Sequence, residues 1–184
     1  FAENGASRVL GIDLSERMLA EARSRENPPA IEYRRAAMEE LDFPAGSFDL
    51  VFSSLAFHYV RDFVPLAANI ARWLKRGGAL VCSMEHPVFT SSGPQDWDYA
   101  PDGTIRHFPV DRYFEEGERE AIFLGERVIK YHRTLTAIVG ALFASGLRLT
   151  GLVEPQPPED MLDLPGMRDE MRRPMMLLLS AEKA

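Results

Sequence analysis

Arg8-Val9-Leu10-Gly11-Ile12-Asp13-Leu14-Ser15-Glu16-Arg17-Met18-Leu19 reads as a strand, a turn and a helix start. Val9, Leu10 and Ile12 form a short buried strand, and Asp13 ends it. Ser15 is a residue type that caps helices, and Met18, Leu19 and Ala22 follow on one helical face. In an α/β domain, an acid at a strand end is where a nucleotide ribose is held, because a carboxylate accepts from both ribose hydroxyls. That acid belongs to a second strand, about 20 residues after a glycine-rich loop. The numbering opens at Phe1. The loop and its strand are therefore expected ahead of Phe1, with the sequence beginning partway into a longer protein.

Outward from this stretch, apolar strands alternate with amphipathic helices, which predicts a doubly wound, mostly parallel sheet. The helix over 15–25 stops before Asn27-Pro28-Pro29. A weaker strand is expected at 31–35 and a short turn at 39–41. Phe48 to Ser54 is a strong strand. The helix 63–74 carries Val64, Ala67, Ala68, Ala71 and Leu74 at helical spacing. Arg76-Gly77-Gly78 ends it, and the next strand spans 79–84. From Glu85 to about Gly125 the pattern breaks into a Pro- and aromatic-rich stretch, read as an ordered insertion. A hairpin around Gly125 extends it, giving an insertion or lid over 85–134 within a single domain, 1–184. A helix at 135–145, a strand at 148–153, a Pro-rich loop at 155–174 and a last strand at 175–181 complete the chain.

The 184 residues suffice for one domain with a real core. A net charge of −7 argues against a nucleic-acid surface. The lone Cys82 rules out an intrachain disulfide and a cysteine-built zinc site, so a reducing cytoplasm is the default. No apolar run is long enough to span a membrane. The four histidines show no metal-ligand spacing, and no metal is expected.

Three stretches together resemble the class I S-adenosylmethionine-dependent methyltransferases, the small-molecule group of the methyltransferase type 11 kind. Val9 to Leu19 is similar to the family's ribose-binding strand and helix. Ala37-Met38-Glu39-Glu40-Leu41-Asp42-Phe43-Pro44-Ala45-Gly46-Ser47-Phe48-Asp49 is similar to its adenine turn and fourth strand. Leu74-Lys75-Arg76-Gly77-Gly78 is similar to its approach to the fifth strand. The resemblance implies a Rossmann-like fold with an antiparallel final strand and S-adenosyl-L-methionine as cofactor. Two departures stand out: the glycine-rich motif is not in the sequence, and Ala37 occupies a position where many members carry Asp. Without the central strand two sheet edges go unpaired, so residues 1–184 alone are expected to bind cofactor weakly.

The expected cofactor contacts are Asp13 on the ribose, Leu14 and Met18 along the adenine face, and the turn Ala37, Met38 and Glu39 on the adenine. Met38 would act through its backbone amide. Ser53 and Ser54 end the fourth strand, at the carboxyl edge where open α/β sheets bind ligands, and their carbonyls would receive the cofactor's ammonium. Plain core packing, helix capping and turn formation are the competing explanations for these residues. His58 and His86 are the candidate catalytic residues, and Tyr59, Glu85, Tyr113 and His132 the candidate substrate contacts. A histidine in an apolar run is as readily a packing residue as a base.

The strand end Ser53-Ser54-Leu55-Ala56 lacks the Pro-Pro motif of amide and adenine N-methyltransferases. Cys82 lies mid-strand, with no following proline, unlike the cysteine-nucleophile cytosine enzymes. A small organic acceptor is therefore expected, with no nucleic-acid partner and no membrane. The insertion serves as a lid, a flap or a homodimer contact. Two rival readings stay open: a nicotinamide-dependent oxidoreductase, which shares the ribose acid, and a non-catalytic protein that keeps the fold.

Overall fold

The computed structural model describes residues 1–25 and 28–184. The chain divides into two compact units, 1–42 and 43–184.

The first unit holds β1 (Val9–Asp13), α1 (Glu16–Ser24) and β2 (Ile31–Arg35), flanked by 3₁₀ turns at Ala2–Asn4 and Met38–Glu40. β1 and β2 pair in parallel, from Val9↔Ile31 to Asp13↔Arg35. The pairing forces a close approach at Gly11, where a Cβ would lie 2.7 Å from the Tyr33 ring. Ser15 caps α1 by accepting the Met18 N–H. Leu19 is the residue that α1 buries. The expected helix stop at Asn27 lies outside the described residues.

The second unit contains β3 (Phe48–Ser54), α2 (Phe63–Trp73), β4 (Leu74–Glu85), α3 (Pro87–Ser91), β5 (Asp98–Tyr99), β6 (Ile105–His107), β7 (Gly117–Phe123), β8 (Glu126–His132), α4 (Leu135–Ala144), β9 (Leu147–Val153), α5 (Met167–Glu170) and β10 (Met176–Lys183). Its main sheet has the order β3-β4-β10-β9. β3 and β4 are parallel, whereas β10 runs antiparallel to both β4 and β9. The final strand is thus antiparallel, as expected.

The core forms where Leu80, Cys82 and Met84 of β4 and Leu177, Leu179 and Ala181 of β10 turn inward, together with Ile138, Ala141 and Leu142 of α4. Helix α2 buries Phe63, Leu66, Ala67, Ile70 and Ala71; of the expected stripe, Ala67, Ala71 and Leu74 are buried, whereas Val64 and Ala68 are exposed. Val64 is exposed, because the bulkier Phe63, Leu66 and Ile70 remove more apolar surface from water. The glycine pair also differs from expectation. β4 begins at Leu74 and absorbs Gly77-Gly78 as an irregularity between the Phe48↔Leu74 and Leu50↔Ala79 pairs. Gly77 takes a φ of +72°, and a Cβ on Gly78 would meet the Lys75 carbonyl at 2.9 Å.

Because β3 and β4 are parallel, Ser54 and Glu85 end at the same carboxyl edge. The insertion follows at once. It comprises α3, the β5–β6 ribbon and the expected β7–β8 hairpin, which pairs from Gly117↔His132 to Phe123↔Glu126.

Candidate functional site

In the first unit, Asp13 stands at the carboxyl end of β1. Its Oδ1 accepts the Ser15 N–H at 2.7 Å, which folds the chain into α1 and fixes the carboxylate. Leu14 and Met18, 63% and 56% exposed, present apolar surface beside it. The Leu14 carbonyl accepts from Arg35 Nε at 3.0 Å. Ala37 opens the 3₁₀ turn that holds Met38 and Glu39. Met38 is the first residue of that turn, where a backbone N–H has no partner within the helix.

In the second unit, the chain leaves β3 through Ser53, Ser54 and Leu55. Ser53 Oγ is buried and has no hydrogen-bond partner among the described residues. Leu55 sits at a φ of +51°, a strained position for a residue with a Cβ. Two bonds hold it there, from its N–H to the Ser83 carbonyl at 2.9 Å and to Ser83 Oγ at 3.2 Å.

The next turn brings His58, Tyr59 and Glu85 together. His58 Nδ1 accepts the Glu85 N–H at 3.3 Å, and its Nε2 lies 3.9 Å from Glu85 Oε1. The Tyr59 ring rests 4.4 Å from the imidazole, centroid to centroid. Burial lowers the His58 pKa to about 4 against the opposing pull of Glu85, so the ring is neutral at physiological pH. Burial, then Glu85, raises the Tyr59 phenol above its usual value, so it stays protonated and able to donate.

Two residues that the sequence reading missed complete this cluster. Lys130 Nζ donates to Glu85 Oε1 at 2.6 Å and to Gln95 Oε1 at 2.7 Å, and Gln95 Nε2 donates to Glu85 Oε2 at 2.8 Å. Lys130 is only 2% exposed. Gln95 reaches the pair from a backbone φ of +55°. One signal was available: in β8 the alternation places Val128, Lys130 and His132 on one face. The inward face of this hairpin buries the charged Arg119 and Lys130, while Ile122 and Ile129 point outward.

The remaining candidates lie apart from this cluster. His86 caps α3, its Nδ1 accepting the Val88 N–H at 3.1 Å. Its Nε2 is 2.9 Å from Glu154 Oε1, in a direction that forms no hydrogen bond. Burial lowers its pKa, and Glu154 partly offsets this. His132 Nε2 meets the Tyr113 carbonyl at 2.8 Å, and its Nδ1 meets Thr90 Oγ1 at 2.8 Å. The Tyr113 hydroxyl accepts the Leu135 N–H at 3.2 Å. His132 and Tyr113 therefore tie the insertion to α3 and α4. The expected base at His58 or His86 finds no free imidazole lone pair, because both Nδ1 atoms already accept a backbone N–H. The Cys82 thiol is pushed up to about 12 by burial, which removes it as a nucleophile.

The family described as "Methyltransferase domain" matches residues 1–82. A solved structure assigned to an S-adenosylmethionine-dependent methyltransferase from Listeria monocytogenes is 46% identical, with a TM-score of 0.95, over 100% of this chain and 82% of that one. The chain belongs to the S-adenosylmethionine-dependent methyltransferases. A methyltransferase of the same description from Mesorhizobium loti is 40% identical, with a TM-score of 0.89, over 99% of this chain and 83% of that one. A demethylmenaquinone methyltransferase from Lactococcus lactis is 34% identical over 87 residues, which span 45% of this chain and 34% of that protein. The methyltransferase uses S-adenosyl-L-methionine, and the nicotinamide and non-catalytic readings are set aside. None of its helices, among the described residues, is long and apolar enough to cross a membrane.

Proposed function

We propose that this methyltransferase transfers the methyl group of S-adenosylmethionine to a small organic acceptor by in-line displacement. The observation that carries the reading is the docking of the insertion on the carboxyl edge of β3 and β4. Lys130 and Gln95 reach from the insertion to Glu85, the last residue of β4. Arg133 anchors the hairpin to the Phe57 and Val60 carbonyls just after β3. A roof held by so many polar contacts suits a small acceptor better than a polymer. The demethylmenaquinone relative acts on a quinone, which agrees with this size class.

The Asp13 carboxylate takes the two ribose hydroxyls, a planar acceptor against a cis-diol. Leu14 and Met18 flank the adenine, and the turn Ala37, Met38 and Glu39 reads its edge through the Met38 N–H. Ser53 and Ser54 receive the ammonium group. The first unit fits adenosine: a fixed carboxylate, exposed apolar side chains and a backbone donor lie on consecutive elements. When bound, the cofactor supplies a methyl group already activated by the sulfonium charge. The chain's own task is to align the acceptor and exclude water, and positioning of this kind contributes about 7–11 kcal/mol. In this reading residues 1–184 act as one methyltransferase domain, with 85–134 as the lid.

Incubating a cell extract with the protein and methyl-labelled S-adenosylmethionine tests the acceptor class. Label is expected in the small-molecule fraction. Label confined to protein or nucleic acid overturns the reading.

A further inference from the structure

The protonation pattern at the carboxyl edge restricts the acceptor chemistry. Two buried histidines, His58 and His86, follow β3 and β4, a third, His132, ends β8, and each has spent its lone pair. His58 Nδ1 accepts from the Glu85 N–H, and His86 Nδ1 from the Val88 N–H. His132 Nε2 faces the Tyr113 carbonyl, which can only accept, so Nε2 carries the proton and Nδ1 accepts from Thr90. All three are Nε2–H tautomers with an occupied Nδ1. Both oxygens of Glu85 are engaged, by Lys130 and by Gln95. The Tyr59 hydroxyl, on a half-exposed ring over His58, is a protonated donor. Among the described residues, the edge therefore offers the Tyr59 donor, while His58, His86 and His132 have no open lone pair to take a proton.

We infer that the methyl acceptor arrives already anionic, as a carboxylate or as an acidic enol or phenol, with the Tyr59 hydroxyl donating to its nucleophilic oxygen. The inference rests on the small-acceptor reading above and narrows it. An alcohol would have to lose a proton, and among the described residues beside Tyr59 the His58 Nδ1 and both Glu85 oxygens are already engaged. An amine is protonated at neutral pH and has no lone pair to offer. An oxyanion needs neither step. Its oxygen forms the new bond to the methyl carbon, the sulfur–methyl bond breaks with its electron pair left on sulfur, and no proton is released. A cation and an anion become two neutral products, a charge change that a desolvated edge favours. The paired Lys130 matters here, because it neutralises the Glu85 charge that would otherwise repel such an acceptor.

Two measurements decide the matter. The first is the ¹⁵N-histidine spectrum of the full protein from about pH 5.5 to about pH 8.5. The groups facing His58 are Tyr59, Glu85 of β4, and Lys130 and Arg133 of the hairpin. The buried histidines are expected to hold one neutral tautomer throughout. An imidazole among them that titrates near pH 7 supplies a base and overturns the inference. The second is methyl transfer to a panel of small carboxylates, acidic phenols, aliphatic alcohols and amines. Label on the first two classes, at a rate flat with pH above the acceptor's own pKa, supports it. In the same assay Tyr59→Phe is expected to raise the acceptor KM about five- to tenfold. Label on alcohols or amines overturns it. Absence of label on every class counts against the small-acceptor reading, and the histidine spectrum then decides this inference alone.

Discussion

At the residue scale, the second unit is governed by buried charge. Lys130 and Glu85 are 2% and 9% exposed at the side chain, so neither charge has water to fall back on. Removing one partner strands the other. Lys130→Met is expected to destabilise the protein by about 3–5 kcal/mol, whereas the double change Lys130→Met, Glu85→Leu recovers most of that loss. Chemical denaturation of the two variants checks this. The histidines add a pH dependence. The folded-state pKa of His58 lies near 4, below the unfolded value of 6.5. Above pH 6.5 neither state binds the proton. As pH falls from about 6.5 to about 4, the unfolded chain binds it first and stability drops, by about 3 kcal/mol from this residue. His86 and His132, also lowered by burial, act in the same direction. Denaturation midpoints should therefore decline across that window, and a midpoint that rises on acidification contradicts the assignment.

At the scale of elements, the nucleotide-type strand–turn–helix was legible because each signal was local. Asp13 after an apolar run and Ser15 at a cap position appear as read, with β1 at Val9–Asp13 and α1 at Glu16–Ser24; of the face through Met18, Leu19 and Ala22, α1 buries Leu19, and β1 is half-buried rather than buried. The β7–β8 hairpin was legible from Gly125 and its flanking runs. What its face would bury was not. Apolar Ile122 and Ile129 point outward, and Arg119, Lys130 and His132 point inward, toward polar partners from distant segments that no local pattern announces. For the same reason Gln95, isolated in a loop, could not be joined to Glu85 in advance. Gly11 gives an element-scale test. With the Tyr33 ring 2.7 Å from an added Cβ, Gly11→Ala must push β1 from β2 or turn the ring. A cost of about 1–3 kcal/mol is expected, seen as faster hydrogen exchange in Val9–Asp13 and Ile31–Arg35. Unchanged exchange in both strands contradicts the close packing.

At the scale of the whole molecule, alternating strands and helices were enough to predict an α/β arrangement, and the family resemblance supplied the antiparallel last strand; the four-stranded main sheet is mixed, with β3 and β4 parallel and β10 antiparallel to both its neighbours. The position of β10 between β4 and β9 follows from long-range pairing, Leu179 with Cys82 on one side and Leu152 on the other, which sequence order does not reveal. The strongest functional signal in the sequence, Asp13, stays the centre of the account, because the proposed function makes it the ribose acceptor for the family's cofactor. Calorimetric titration of S-adenosylmethionine into the full-length protein and into its Asp13→Ala variant tests this most directly. Loss of a charged acceptor predicts binding weaker by about 1.5–3 kcal/mol, roughly a 10- to 150-fold rise in Kd. An unchanged Kd in the variant contradicts the account.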